Sequence, residues 1–310
     1  MRHHLLSLLV AGLALLLGLG LGAGPVAEDT ADGQARETRR LQDRIAALEG
    51  ALGSLREGRD RDAKALAAMA APLTAESLSD RSVLVVASPG ARDADVRRVR
   101  TALEGAGATV TGVLALRGTY VDPARAESPL EDLSLRLVPP GVEFPDGSLP
   151  IERVGTVLAR STVQEPDEDE PVSEEVDQDA AEVIAGLDEL DALRLDGDPG
   201  VRAELAVLVA GPRDAAEAET ALTGLLVALD RGSSGAVLTA PGDARSGPLR
   251  WVRDGAGREL DEVSTVDSLA SPVGTTGLVL ALAEQVTGGS GDYGLGLAAG
   301  RVLPGTGADG

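Results

Sequence analysis

The side chains that most often perform catalysis are scarce in this chain. There is no cysteine, and the only two histidines, His3 and His4, lie at the amino terminus. Cysteine nucleophiles and thiolate metal sites are therefore excluded, and farther along the chain no imidazole is available as a base, an acid or a ligand. No Gly-x-Ser-x-Gly sequence occurs, and a serine nucleophile would have neither a histidine nor a lysine to accept its proton.

Carboxylates are the remaining candidates for acid–base chemistry. The chain carries 50 acidic residues, and nothing in their spacing singles out one pair as a general acid and a general base. We therefore predict that the protein is not an enzyme. The sequence assigns no catalytic residue and no cofactor-binding residue, and it leaves any metal ligands undetermined.

One glycine pattern matches the letters of a dinucleotide-binding motif. The motif Gly289-x-Gly291-x-x-Gly294 follows a predicted helix, whereas phosphate binding requires a strand before the glycines and a helix after them. The predicted strand ends at residues 88–90 and 211–212 hold one glycine each, and Lys64, the only lysine, lies far from both. We interpret the match as accidental and predict no nucleotide cofactor.

An acidic segment is the densest cluster of potential cation ligands. Residues 165–179 carry nine carboxylates, a composition typical of a solvated, mobile loop, and we assign residues 164–179 to such a loop. The alternative is weak binding of hard cations, but no EF-hand spacing supports it, and residues 196–200 are typical of an ordinary turn.

The net charge of the chain indicates which classes of macromolecule it can bind. The chain has 28 basic and 50 acidic residues, a formal net charge of −22 at pH 7. This charge repels phosphate backbones and anionic lipid headgroups. We therefore expect no nucleic-acid partner.

The amino-terminal segment has the composition of a membrane span. Residues 5–27 carry no charge, and as a helix they would extend roughly 35 Å, which exceeds the hydrocarbon core of a bilayer. Arg2 precedes the run and Glu28 and Asp29 follow it, which predicts a cytoplasmic tip and an exported remainder. We therefore assign residues 1–34 to the tip, an anchor in the lipid bilayer and a linker. The alternative is a cleaved signal peptide, although Pro25 is unfavourable near the cleavage site.

A heptad pattern follows the predicted anchor. Its apolar residues are spaced alternately by four and three, are interrupted at Arg59 and Asp62, and then resume; they are Leu41, Ile45, Leu48, Leu52, Leu55, Leu66, Met69 and Leu73. This spacing predicts a short coiled-coil stalk over residues 35–77 and a homo-oligomer, with a parallel dimer as its simplest form. The alternative is an amphipathic helix that packs on its own domain.

The sequence after the heptad segment predicts an exported α/β domain over residues 78–287 and a glycine-rich surface tail over 288–310. A strand–helix–strand pattern occurs twice. In each case two short apolar runs flank a segment whose apolar residues have helical spacing. They cover residues 81–88, 93–106 and 109–116, and then 204–210, 214–230 and 235–240. The predicted fold class is therefore a transmembrane helix and a coiled-coil stalk followed by a Rossmann-like, doubly wound domain built from two βαβ units.

The segments between and after these units add further helices and one short run. Residues 150–163 and 178–193 are predicted as helices, and a short β-branched run lies around residues 263–266. In the final helix we expect Ser271 as the N-cap and Pro272 at the first helical position.

Several stretches, taken in order, resemble a known family. They are the leucine-rich amino terminus, the heptad segment and residues 82–93, 107–113, 263–267 and 288–294. Together they resemble the MctB-type copper-transport proteins of actinobacterial envelopes over nearly the whole chain. The predicted anchor indicates a single-pass protein of the cell membrane with an exported carboxyl-terminal domain. The resemblance implies a cell-envelope protein, with the outer membrane as the alternative location, that helps keep intracellular copper low as a channel or efflux component.

The residues themselves offer few copper ligands. Copper(I) prefers thiolate and thioether sulfur, and copper(II) prefers imidazole and amide nitrogen, yet beyond the predicted anchor only Met69 is of these types. The amine of Met1 with Arg2 and His3 could form a nitrogen site, although a polar flank is the simpler interpretation. We expect no high-affinity copper site. The alternative function is a structural protein of the envelope that docks a partner protein through its α/β domain.

Overall fold

The computed structural model describes residues 25–122, 147–164, 177–212, 214, 216–242, 245–255, 260 and 262–305, together with some positions between 129 and 144. The chain divides into two compact units, Met1–Asp62 and Ala63–Gly310. Each unit is described separately below.

The first unit contains most of a single long helix. Helix α1 spans Pro25–Thr74, and Pro72 lies inside its last turn. Its apolar side chains at the heptad positions of this unit, from Leu41 to Leu55, are 50–69% exposed.

The second unit is built on a seven-stranded sheet. Its strands are β1 (Ser82–Ala87), β2 (Thr109–Leu116), β3 (Leu193–Gly197), β4 (Leu205–Val209), β5 (Ala236–Thr239), β6 (Ser264–Val266) and β7 (Asp292–Tyr293). Their order in the sheet is β3-β2-β1-β4-β5-β6-β7. All neighbouring strands are parallel except β2 and β3, which are antiparallel.

Helices connect most of these strands. The helices after α1 are α2 (Asp93–Gly105), α3 (Gly118–Val121), α4 (Pro150–Thr162), α5 (Gln178–Glu189), α6 (Glu219–Arg231), α7 (Pro248–Asp254) and α8 (Pro272–Gln285), and a 3₁₀ turn at Ala216–Ala218 precedes α6. Helix α2 joins β1 to the parallel strand β2, and α6 joins β4 to the parallel strand β5. The α/β class and both βαβ units are thus present in the described structure.

Two hydrophobic cores lie on the two faces of the sheet. Alternate residues of β1 divide between them: Leu84 and Val86 belong to the core that includes α4, α5 and α6, and Val83 and Val85 to the core that includes α2 and α8. Strands covered on both faces become nearly continuous apolar runs. This explains why the apolar runs in the sequence located β1 and β4.

The amino-terminal end of α8 has the predicted cap. The Ser271 hydroxyl accepts a hydrogen bond from the Gly274 N–H (3.1 Å), and Pro272 occupies the first helical position. A serine at this position satisfies an N–H group that has no partner within the helix. The predicted N-cap is confirmed.

The predicted architecture needs a correction at its amino terminus. Within the part of the chain that the structure describes, no helix combines the length and the apolar character needed to cross a membrane. Of the predicted span, residues 5–24 lie outside the described residues, and residues 25–27 begin the charged helix α1. The fold class that began with a transmembrane helix is therefore wrong.

The sheet is also larger than the sequence predicted. The sequence placed a turn at residues 196–200 and a helix up to residue 193, but Leu193–Gly197 forms the antiparallel edge strand β3. Only Leu193 and Leu195 face the core, so the alternation is too short to recognise. The tail contributes the two-residue strand β7, whose pairing with β6 depends on tertiary contacts.

The two tyrosines provide a matched test of core packing. The Tyr120 hydroxyl is buried against Gly155 and has no hydrogen-bond partner among the described residues, whereas the Tyr293 hydroxyl donates to Glu284. Burial raises the pKa of Tyr120 well above its usual value. A buried hydroxyl without a partner costs about 1–3 kcal/mol.

We therefore expect Tyr120→Phe to leave the free energy of unfolding unchanged or raise it by about 1 kcal/mol, and Tyr293→Phe to lower it by a similar amount. Urea denaturation followed by circular dichroism measures both. A clear loss of stability in Tyr120→Phe would contradict this assignment.

Candidate functional site at the carboxyl edge of the sheet

The strand order places a topological switch point between β1 and β4. The chain leaves β1 towards β2 on one side, and β4 pairs with β1 on the other. In open parallel sheets, ligands bind outside the carboxyl ends of the strands at such a point. The loops that follow β1 and β4 are therefore the first place to look for a site.

A carboxylate from the chain itself occupies this position. Asp214 Oδ1 accepts a hydrogen bond from the Gly90 N–H (2.8 Å), and Asp214 Oδ2 accepts one from the Gly211 N–H (2.7 Å). The Ser88 hydroxyl donates to Asp214 Oδ2 and accepts from the Gly211 N–H (3.0 Å). The Asp214 carboxylate is thus bound by two backbone amides and one hydroxyl.

This arrangement uses the groups that would bind an anionic ligand. Two amides at the carboxyl ends of neighbouring parallel strands are typical of phosphate sites. Here both donate to Asp214, and a Cβ atom on Gly211 would lie 1.8 Å from the Gly90 carbonyl carbon. The two loops are in contact, and a phosphate at this position would have to displace Asp214.

A second charged cluster lies at the carboxyl ends of β6 and β7. Arg253 Nη1 pairs with Asp267 Oδ2 at 2.9 Å, and both side chains are almost fully buried. Arg253 also donates to the Thr265 hydroxyl (2.7 Å) and to the Tyr293 carbonyl (2.8 Å), and it lies 3.5 Å from Asp292. The ion pair therefore joins α7 to both strands.

The same cluster fixes the glycine-rich tail. Asp267 Oδ1 accepts hydrogen bonds from the backbone N–H groups of Leu295 (2.8 Å) and Gly296 (3.0 Å). Gly294 has a φ of +133°, and a Cβ atom there would lie 2.1 Å from the Asp267 carboxylate. Gly294 thus permits a close approach of the backbone to this carboxylate. The Gly-x-Gly-x-x-Gly motif contributes to tail packing in the described structure.

Sequence reasoning did not single out any of these charged residues. Asp214, Arg253 and Asp267 are three among many ionisable groups, and their partners lie far away in sequence. One signal was present: Asp267 directly follows a buried β-branched run. An acidic residue at the carboxyl end of a buried strand is a candidate for a satisfied internal charge.

One carboxyl group has a raised pKa at the opposite edge of the sheet. Partial burial raises the pKa of Asp230 to about 6, although a hydrogen bond from the Ala236 N–H opposes this shift; nearby Glu262 adds to it. Perturbed pKa values often mark functional sites. Here Asp230 binds the first amide of β5, so it has a structural role in the described contacts.

Metal ligands remain sparse. Among the described residues, no group of three or more histidine, cysteine or acidic side chains could hold a metal ion. Met69 is 73% exposed on α1. The amino-terminal residues Met1, Arg2 and His3 lie outside the described part of the chain, as do residues 165–176 of the acidic loop.

Comparison with known proteins gives the family. Residues 1–304 match the family model described as "Copper transport outer membrane protein, MctB". The chain belongs to this family. It is 26% identical to the copper transporter MctB of Mycobacterium tuberculosis strain H37Rv over 324 residues, covering 96% of each chain. It is 25% identical to the copper transporter MctB of Mycobacterium leprae over 312 residues, again covering 96% of each chain.

The family match confirms the resemblance found in the sequence, and the structure shows how the resembling stretches are arranged. Residues 82–93 and 107–113 include the neighbouring strands β1 and β2. Residues 263–267 and 288–294 include the neighbouring strands β6 and β7, joined by Arg253. In this MctB-family chain, the separate stretches are therefore parts of one sheet and its supporting contacts.

The buried ion pair can be tested against an exposed one on the same helix. Replacing Arg253 with methionine leaves Asp267 buried without its cation, which should lower the free energy of unfolding by about 3–5 kcal/mol. Arg250 pairs with Asp254 while both side chains are more than half exposed, so Arg250→Met should cost less than about 1 kcal/mol. Urea denaturation measures both, and equal losses would contradict the assigned role of Arg253.

Asp230 should make stability depend on pH. Because its folded pKa is raised to about 6, the stabilising contribution is present below the unfolded value near 4 and is lost as pH rises through about 6. We expect Asp230→Asn to raise the free energy of unfolding by about 1 kcal/mol at pH 7.5, allowing for partial exposure, and to change it little at pH 4. Equal effects at both pH values would contradict the shifted pKa.

Proposed function

We propose that this MctB-family protein is a component of copper efflux in the cell envelope, as a channel or as part of an efflux assembly. The single observation that carries the proposal is the family match over residues 1–304. The relatives that are named copper transporters are similar over 96% of this chain. The family description favours an outer-membrane location.

The protein acts in this proposal without a high-affinity copper site of its own. The chain has no cysteine, and its described residues contain no metal-ligand cluster. Copper(I) needs soft sulfur ligands for tight binding, and beyond residues 1–34 Met69 supplies the only thioether. Copper would then pass through an assembly of several copies or through a partner protein.

The proposed organisation follows the sequence. Residues 35–77 form the stalk through which copies associate, residues 78–287 form the α/β domain, and residues 288–310 form the tail. We propose no catalytic role, because Asp214 and Asp267 at the carboxyl edge are both bound by the protein's own groups.

A second candidate is a structural or docking protein of the envelope that moves no copper. The exposed apolar side chains of α1 favour it, since they suit association equally well. Deleting the gene and measuring cell-associated copper separates the two candidates. Copper should accumulate several-fold if the protein takes part in efflux, and complementation with the full chain should reverse this. Unchanged copper with altered envelope integrity would support the docking protein instead.

Copper binding by the purified full chain tests the absence of a tight site. We expect no copper to remain on the protein after competition with a copper(I) chelator. Met69→Leu and a His3→Ala/His4→Ala double variant serve as controls that remove the thioether and the imidazoles. Retention of one copper ion per chain would contradict the proposal, and loss of that ion in one variant would identify its ligands.

A further inference from the structure

Helix α1 displays a regular apolar stripe that no other described residue buries. Leu41, Ile45, Leu48, Leu52 and Leu55 are each between 50% and 69% exposed. Their spacing of four and three residues defines heptad positions a and d. The first unit thus carries a continuous apolar seam along about two heptads. Arg59 and Asp62 occupy the next a and d positions, so the heptad frame continues for about three heptads.

We propose that this seam pairs with a second copy of the chain in a parallel, in-register, two-stranded coiled coil. The inference specifies the stalk association in the proposed function and rests on that part of it. Ile45 and Leu52 occupy position a, while leucine occupies position d at residues 41, 48 and 55. Of these two a residues only Ile45 is β-branched, and a β-branched residue at a with leucine at d favours two parallel strands over three or four.

Charges beside the seam agree with this arrangement. In the same frame, Arg44 lies at position g and Glu49 at the following position e. In a parallel dimer, g of one helix faces e of the next heptad in the other helix, so Arg44 meets Glu49 of the partner subunit. Neither residue forms an ion pair with another described residue, so both are available for this contact.

The polar residues that interrupt the apolar seam set the alignment of the two helices in the dimer. Arg59 lies at a and Asp62 at d, and neither forms an ion pair with another described residue. A side chain at a packs into a hole that includes the next d residue of the other helix. Across the axis of an in-register pair, Arg59 faces the partner's Arg59 and Asp62 faces the partner's Asp62. The neighbouring Arg59–Asp62 contacts between the two helices offset this like-charge repulsion, and a shift of register would place these charges against leucines. The two polar layers fix the alignment at some cost in stability.

The same heptad positions resume in the second unit. Leu66, Met69 and Leu73 are 45–73% exposed and continue the a and d frame without a break in spacing. In the sequence, the spacing from Leu41 to Leu73 covers about five heptads, more than the three or four that favour a coiled-coil assignment.

Cysteine cross-linking of the full chain tests the orientation, because the natural chain has no cysteine. Under mild oxidation, Leu48→Cys should form a disulfide-linked dimer, since position d of one helix faces position d of the other in a parallel pair. Ser54→Cys is the matched control at an outward position and should stay largely monomeric on a non-reducing gel. Equal cross-linking of both variants, or none with Leu48→Cys, would overturn the parallel arrangement.

Charge reversal tests the polar layers. Arg59→Asp brings like charges together and should raise the dissociation constant of the dimer about tenfold, equivalent to about 1.4 kcal/mol. Adding Asp62→Arg restores opposite charges and should recover the original affinity. Sedimentation equilibrium measures the dissociation constants. Failure of the double variant to recover would overturn the Arg59–Asp62 contact, and a monomer or trimer of the natural chain would overturn the two-stranded coil.

These outcomes are independent of copper. A dimer without any copper phenotype would leave the inference intact and remove the proposed function. A copper phenotype in a protein that stays monomeric would support the role in copper efflux and overturn the two-stranded coiled coil.

Discussion

The carboxyl edge of the sheet depends on carboxylates that satisfy backbone amides inside the protein. Asp214 binds the amides of Gly90 and Gly211, and Asp267 binds those of Leu295 and Gly296. Buried amides without partners destabilise a fold, so these internal anions allow the loops after the strands to pack closely. The edge that in many α/β proteins receives a ligand is here closed at β1 and β4 by the chain itself.

This closure limits what the α/β domain can bind at the switch point between β1 and β4. A doubly wound sheet with an open switch point would suggest nucleotide binding, but at this switch point the donors already have acceptors. The buried Arg253–Asp267 pair similarly connects α7, β6 and the tail. Both clusters are consistent with a rigid supporting domain.

The long helix α1, unlike the strands of the sheet, leaves its apolar side chains exposed. The sheet covers most of its apolar residues, whereas the apolar heptad side chains of α1 from Leu41 to Leu55 are half exposed or more. Isolated helices gain little stability from propensity alone and depend on tertiary or quaternary packing. In the proposed dimer, a second copy of the chain supplies such packing, and the interruption at Arg59 and Asp62 determines the alignment.

The sequence by itself determined the α/β class, both βαβ units, the N-cap at Ser271 and the family, because these depend on local apolar periodicity and on the order of short stretches. The transmembrane part of the predicted architecture was wrong, since composition alone was used to assign it. Strands β3 and β7 and the residues that bind at the carboxyl edge were decided only by the tertiary structure. Leu195 becomes a strand residue through pairing with β2. Asp214 accepts a hydrogen bond from the distant Gly90 amide, and Asp267 accepts one from the Leu295 amide. Such long-range contacts leave no periodic signal, because each depends on where the whole sheet brings two distant segments together.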